Sequence, residues 1–282
     1  MKDDARAWWL LLVWSVALFV LPGSPATARS DSPPRIVSLS PALSATLVAL
    51  GLGDRVVGRT PWCRGLPARV PVVGDAQRID YERLLRVRPT HVLRQSARPD
   101  PELQRLATEH GWRIERWARL ERIAEIRSLL EHLPHILYGD PIPAAVARRR
   151  DALLRALDEA LALHPCPEDP GPIALVTGAD PPLAFGRGTY LDDLLRAWGL
   201  RNAVSARGWV ALDLETLARS QARLVVWVND RASSPPPALQ TLPARHLVTF
   251  VHPAALLPAA SLPQVARALA ETLGRVPACT GS

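Results

Sequence analysis

Three side chains in this sequence are of the types that donate electron pairs to metals: Cys63, Tyr190 and His252. A thiolate, a phenolate and a neutral imidazole can each ligate a transition metal or a haem iron. Plainer readings stay open, because a neutral thiol packs as a small apolar residue and a histidine before Pro253 fits an ordinary loop. The other six histidines lack the spacing of a metal site. The sequence therefore predicts no metal centre of the protein's own.

Arg187 stands between two glycines just before a predicted helix, where backbone N–H groups and a guanidinium favour a phosphate or carboxylate. A plain turn is the alternative. Catalytic patterns are missing from the sequence: it has no G-x-S-x-G elbow, no Walker loop and no H-E-x-x-H helix. We predict no catalytic residue and no cofactor, and an enzyme on two α/β lobes remains the alternative from another functional class.

Buried strands alternate with helices along the chain, which predicts α/β lobes with parallel sheets. Apolar residues at helical spacing from Pro143 to about His164 predict one long helix of about 20 residues. The predicted fold is therefore two Rossmann-like lobes with parallel sheets, joined by one long backbone helix. The predicted boundaries are a lobe at 29–139, the connecting helix at 140–165, a second lobe at 166–276 and a tail at 277–282.

The first 28 residues read as a secretory signal peptide. Trp8 to Leu21 is almost entirely apolar, follows Lys2 and Arg6, and precedes the small-x-small pattern that ends at Ala28. A membrane-spanning helix needs about 20 apolar residues, and this run is shorter. We expect cleavage after Ala28 and a mature chain in a periplasm-like space.

The second half of the sequence repeats the first. Asp80, Glu82 and Val92 match Asp213, Glu215 and Val225, and the segment from Leu47 to Val56 matches the one from Leu195 to Val204. Two similar lobes joined by a rigid helix form a clamp, and ligands bind in such clefts near the carboxyl ends of strands.

The formal net charge is +7, and after Lys2 every cationic side chain except histidine is arginine. The mature chain has no basic tract with interleaved aromatic residues, so nucleic acid is not an expected partner. Cys166 precedes the first strand of the second lobe and Cys279 follows its last helix. An oxidising compartment would favour a bond between them.

Three segments resemble one family of transport proteins. They are RIVSLSPALSATLVALGLGDRVVG from Arg35, IDYERLLRVRPTHVL from Ile79 and GTYLDDLLRAWGLRNAV from Gly188. In order and spacing they are similar to the periplasmic binding proteins for cobalamin and iron siderophores, and most similar to the cobalamin-binding branch. The resemblance implies a monomeric carrier of a metal chelate (a corrinoid, a haem or a siderophore) that serves the permease subunits of an ABC importer in the inner membrane.

The resemblance also implies site residues. Trp62 and Trp209 would flank a macrocycle, with Cys63, Phe185, Arg187, Tyr190 and His252 in the segments around it. Glu82 and Glu215 would each meet a permease subunit. Two departures from the cobalamin branch leave the ligand open: Ala76 stands where an aromatic residue can occur, and residues 252–257 lack the usual acidic or arginine-containing element. A scaffold that has lost its ligand is a further alternative.

Overall fold

The computed structural model describes residues 33–75, 77–178, 181–242 and 246–280. The predicted signal peptide and Ala76 lie outside the described residues. From Pro34 onward the described chain forms one compact unit. Among the described helices, none combines the length and the hydropathy needed to cross a membrane.

The N-terminal lobe is built on a parallel sheet with the strand order β2-β1-β3-β4. Its elements in chain order are β1 (Ile36–Ser38), α1 (Pro41–Ala49), β2 (Val56–Arg59), α2 (Tyr81–Val87), β3 (His91–Gln95), α3 (Pro101–His110) and β4 (Arg113–Trp117). The side chains of Ser40, Asp80 and Asp100 cap the three helices by accepting a backbone N–H three residues ahead. Polar caps therefore fix where the loops that follow the strands turn into helices.

Two helices, rather than the one predicted, connect the lobes: α4 (Ile123–Tyr138) and α5 (Ala144–Leu161). The first half of α4 packs into the core of the C-terminal lobe through Ile126, and its second half packs into the N-terminal core through Leu133. The helix α5 crosses in the opposite sense, from Val146 in the N-terminal core to Leu157 in the C-terminal core. The connection is an antiparallel pair of helices that both cores share.

The C-terminal lobe has a mixed sheet with the order β7-β6-β5-β8-β9. Its elements are β5 (Ile173–Thr177), β6 (Leu183–Phe185), α6 (Tyr190–Ala197), β7 (Trp209–Ala211), α7 (Leu214–Arg219), β8 (Leu224–Asn229), α8 (Pro237–Gln240), β9 (His246–Val251), α9 (Leu262–Leu273) and α10 (Pro277–Thr280). The strands β5, β8 and β9 are parallel, whereas β6 pairs antiparallel with both neighbours. The α/β fold with two sheet-containing lobes is confirmed, and the antiparallel edge is an addition to it.

The backbone confirms the internal repeat. Gly51 and Gly199 follow α1 and α6 with φ of 76° and 74°, and in each case the next residue donates its N–H to the carbonyl five residues earlier at 2.8 Å. Arg88 and Gln221, which lie 133 positions apart as Asp80 and Asp213 do, have φ of 45° and 56°. They are the two non-glycine residues of the described chain with positive φ, a conformation that side chains disfavour. Its recurrence shows that the two lobes share one local backbone design.

The predicted proximity of Cys166 and Cys279 is confirmed. The two residues form a disulfide with a Cα–Cα distance of 4.4 Å, and Cys279 is fully buried. The bond ties the chain entering β5 to α10, so the tail belongs to the C-terminal core.

Candidate functional site

A cavity of about 350 Å³ lies between the lobes and is lined by residues of both. From the N-terminal lobe these are Pro41, Ala45, Pro61, Trp62 and Arg64, and from the C-terminal lobe Asp230, Arg231, Pro253, Leu256 and Leu257. A second cavity of about 240 Å³ shares Pro41 and Trp62 with the first. Both volumes approach or reach the range typical of small-molecule sites.

The cleft forms where the carboxyl ends of parallel strands meet. Pro41 begins α1 three residues after the end of β1, Asp230 directly follows β8, and Pro253 comes two residues after the end of β9. Open α/β sheets bind ligands at this edge, in the crevice outside the carboxyl ends of their strands. The walls are mostly apolar, and their prolines restrict the backbone.

Trp62 lines both cavities, as the sequence led us to expect for a residue of the cleft. Trp62 is 68% exposed, the largest value among the exposed large hydrophobic residues of the described chain. The backbone N–H of Trp62 donates to Thr60 Oγ1 at 3.2 Å, which fixes the start of this loop. A flat, exposed indole at the mouth of an apolar cavity is suited to stack on a planar ligand.

Trp209 is placed differently. It lies on the edge strand β7, opposite Phe185 on β6, and its ring centroid is 4.2 Å from that of Phe185. It is 37% exposed, but it does not line either cleft cavity. The structure therefore does not bring the two tryptophans together in one cavity.

Phe185 and Tyr190 are fully buried. The prediction that their side chains contact a ligand in the cleft is therefore wrong for this structure. The Tyr190 hydroxyl donates a hydrogen bond to the carbonyl of Ala255, and burial raises the pKa of this phenol well above its usual range. A phenol that stays protonated and already has a partner is not available to a metal. These two side chains form the floor on which Trp209 packs.

Cys63 is also turned away from the cleft, with only 6% of its surface exposed. The Ser44 hydroxyl donates to Cys63 Sγ at 2.9 Å, and Thr60 Oγ1 lies 3.2 Å from the same sulfur. The geometry favours the plainer reading of the sequence, a small residue packed within the lobe, over a metal-binding thiolate.

His252 follows β9 near the cleft and is half-buried. Its Nδ1 accepts the backbone N–H of Ala254 at 3.1 Å, and burial lowers the pKa of the imidazole. The neutral ring therefore carries its proton on Nε2, so that nitrogen has no lone pair to offer. Ligation through Nε2 would require the other tautomer and the loss of the hydrogen bond to Ala254.

Arg187 lies in a separate and larger surface cavity of about 750 Å³, together with Arg122, Arg196 and Arg207. This cavity shares no lining residue with the two cleft cavities. The predicted contact of Arg187 with a ligand held in the cleft is therefore not supported by its position.

Three charged residues of the cleft, Arg64, Asp230 and Arg231, were not predicted from the sequence. Arg64 Nη2 lies 3.0 Å from Asp230 Oδ2, and Arg231 Nε lies 3.6 Å from Asp230 Oδ1. Asp230 and Arg231 directly follow β8, a position that by itself suggests a ligand loop. Within the described ranges no group of three or more histidine, cysteine or acidic residues is arranged to hold a metal ion.

The N-terminal lobe is similar to one known protein family. Residues 36–109 match the model of the periplasmic binding protein family. The match covers 74 of the 282 residues and lies within the N-terminal lobe. No curated protein matches the chain.

Solved structures of periplasmic binding proteins resemble the chain over most of its length. A periplasmic heme binding protein from Pseudomonas aeruginosa is 25% identical with a TM-score of 0.64, over 89% of this chain and 94% of that one. The periplasmic heme-binding protein BhuT, in complex with two hemes, is 23% identical (TM-score 0.66; 86% and 100% covered). The vitamin B12 binding protein BtuF of Vibrio cholerae is 17% identical (TM-score 0.66; 86% and 97% covered). All three are binding proteins, and the likeness to this chain is one of fold.

Glu82 and Glu215 lie in the first turns of α2 and α7 and point to solvent, with 85% and 78% of their side chains exposed. Acidic residues are favoured in any first helical turn by the helix dipole, so this position alone does not establish a docking role.

Proposed function

We propose that this chain is a periplasmic binding protein that captures a corrinoid in the cleft between its lobes and delivers it to the permease of an ABC importer in the inner membrane. The observation that carries the proposal is the exposed indole of Trp62 at the mouth of the apolar interlobe cavity. An exposed tryptophan gives a planar macrocycle a large contact surface with few rotors to freeze.

None of the three candidate metal-ligating side chains is placed to bind a metal. This favours a chelate whose metal already has all of its ligands. The thiol of Cys63 is buried, the phenol of Tyr190 donates a hydrogen bond to a carbonyl, and the His252 imidazole carries its proton on Nε2. A corrinoid brings axial ligands of its own to cobalt, so it can be held by its faces and edges alone. Cavities of about 350 and 240 Å³ that meet at Trp62 suit a ligand that enters the cleft edge-on and extends over the indole.

A haem is the second candidate, and the charges of the cleft favour it. Arg64 and Arg231 place two guanidinium groups beside one carboxylate in an otherwise apolar cavity. Guanidinium groups bind carboxylates through paired hydrogen bonds, and haem carries two propionates. A haem would have to bind without an axial bond from Tyr190 or Cys63 as these side chains now lie.

Delivery would use the surfaces around Glu82 and Glu215. The two glutamates are related by the internal repeat, and a permease with two equivalent subunits offers two equivalent basic surfaces. We expect the chain to be exported after cleavage at Ala28 and to work as a monomer.

The direct test is titration of the mature protein with cyanocobalamin, haemin and a ferric siderophore, followed by intrinsic tryptophan fluorescence. Cyanocobalamin should quench the fluorescence with saturation, and the Trp62→Ala variant should lose most of the change. Saturable binding of haemin alone would replace the corrinoid by haem. Absence of binding by all three would overturn the proposal in favour of a scaffold that has kept the fold.

A further inference from the structure

The carboxylate of Asp230 lies in the cleft, at a position where an anionic group of the ligand would be expected. Asp230 Oδ2 is 3.0 Å from Arg64 Nη2, and Asp230 Oδ1 is 3.6 Å from Arg231 Nε. Each oxygen of one carboxylate is therefore directed to a different guanidinium, and all three side chains line the interlobe cavity.

The pair of Arg64 and Asp230 also joins the lobes, because Arg64 follows β2 and Asp230 follows β8, 166 positions later. Its two members differ in exposure. The Arg64 side chain is 61% exposed, whereas that of Asp230 is only 24% exposed. The arginine is thus open to an incoming group, while the aspartate is held in place beside Asn229, whose Oδ1 accepts the backbone N–H of Asp230 at 2.9 Å.

With two cations and one anion, this cluster carries a net charge of +1 in a cavity whose other lining residues are apolar. A single positive charge against apolar walls favours a ligand that brings a negative charge, and it disfavours one that brings only neutral groups. Both arginines are mostly exposed, with 61% of the Arg64 side chain and 77% of the Arg231 side chain open to solvent.

We propose that Asp230 is a built-in competitor anion, which an acidic side chain at the edge of the ligand displaces from Arg64. The inference rests on the proposed function and narrows it: the cleft selects macrocyclic chelates that carry a free carboxylate over those whose side chains are all amides or esters. The displaced aspartate remains beside Arg231, so the exchange leaves no guanidinium without a carboxylate nearby.

The test compares acidic and neutral forms of the same chelate on the mature protein. One pair is cyanocobalamin and its derivative with one propionamide hydrolysed to a carboxylate, and the other is haemin and haemin dimethyl ester. We expect the wild-type protein to bind the acidic member of the pair about 5-fold to 10-fold more tightly, as is typical for one accessible charge pair.

Two variants separate the roles of the charges. Asp230→Asn removes the competitor and should tighten binding of the acidic form about 5-fold while leaving the neutral form unchanged. Arg64→Gln should abolish the preference for the acidic form. Asp54→Asn and Arg69→Gln make the same charge changes in a surface pair outside the cleft, with side chains 90% and 78% exposed, and should have no effect.

Equal binding of acidic and neutral forms by the wild-type protein would overturn the inference and leave the proposed function intact. Unchanged affinity of Asp230→Asn for the acidic form would overturn the competitor role in the same way. Failure of both the corrinoid pair and the haem pair to bind would overturn the proposed function itself and this inference with it. Arg64 is mostly exposed, so Arg64→Gln should fold even where Asp230→Asn does not.

Discussion

Glu82 and Glu215 are paired in the same way in the two lobes. Each carboxylate lies 3.2 Å from the guanidinium of an arginine four residues later, Arg86 in the first lobe and Arg219 in the second. Both pairs are exposed, so each contributes little to stability. Two glutamates held by identical local contacts therefore present equivalent charges to whatever binds both lobes.

A double variant, Glu82→Ala with Glu215→Ala, should abolish stimulation of the cognate ABC ATPase while leaving ligand affinity in solution unchanged. Charge complementarity at an interface sets approach and orientation, and the removed charges lie outside the cleft. The measurement is ATPase stimulation and uptake with the permease in proteoliposomes. Glu102→Ala is a matched control, because Glu102 also lies in the first turn of a helix and pairs with an arginine. Normal uptake by the double variant would reduce both glutamates to helix-start residues.

Trp62→Ala should weaken ligand binding by about 1 to 3 kcal/mol, because truncation removes an aromatic contact from the cleft. The thermal unfolding of this variant should match that of the wild type, since the indole is 68% exposed. Trp62→Phe should restore part of the affinity. Titration calorimetry and circular dichroism on the same samples separate the two effects, and full affinity in Trp62→Ala would contradict the site assignment.

Trp209→Ala should mainly lower stability, by about 1 kcal/mol, because its ring packs on Phe185 with centroids 4.2 Å apart. The sequence led us to expect the same loss of binding as for Trp62, whereas the cavities favour a smaller effect. Denaturant unfolding measures the first effect and ligand titration the second. A loss of affinity as large as that of Trp62→Ala would show that the ligand reaches β7.

Reduction of the bond between Cys166 and Cys279 should lower the free energy of unfolding by about 3 to 5 kcal/mol in the chain-entropy model, since the bond closes a segment with a sequence separation of 113. Urea unfolding with and without reductant measures the difference. The variant Cys166→Ser with Cys279→Ser should show the same loss and no further response to reductant. A reductant effect that persists in this variant would have to come from elsewhere.

Acidification should destabilise the protein through His91. Burial lowers the pKa of this imidazole to about 4, and Arg113 on the neighbouring strand acts in the same direction. Between pH 6.5 and about 4 the unfolded chain binds a proton that the folded chain does not. The free energy of unfolding therefore decreases by up to about 3 kcal/mol as the pH is lowered through this range. His91→Gln should flatten this part of the pH profile, and His110→Gln, at the exposed end of α3, should not.

Local signals made much of the fold predictable. Ser40 and Asp80 cap helices because their side chains satisfy backbone N–H groups a few residues away, and this needs no tertiary information. The helix α5, Ala144–Leu161, lies within the segment from Pro143 to about His164 in which apolar spacing predicts a helix. The helix α4 escaped prediction because it contains Pro134, which reads as a helix breaker, although here it lies buried within the helix. The strands β6 and β7 are three residues each, too short to show a period.

The candidate site was harder to predict because side-chain direction depends on tertiary packing. The resemblance leads us to expect Tyr190 near the ligand, yet its phenol turns inward to the carbonyl of Ala255, 65 positions away. The contact of Arg64 with Asp230 joins two loops that no local pattern relates. The resemblance to the cobalamin-binding branch implies that Trp62 flanks the ligand, and its exposed indole lines both cleft cavities.

The shared pair of α4 and α5 has a consequence for how the protein unfolds. Leu133 and Val146 complete the core of one lobe, and Ile126 and Leu157 complete the core of the other. Neither lobe can melt without exposing apolar surface on the helices that the other still needs, so the two should unfold as one cooperative unit. A fragment ending near residue 139 would keep α4 but strip Ile126 of its cover, and should aggregate rather than fold as an independent domain.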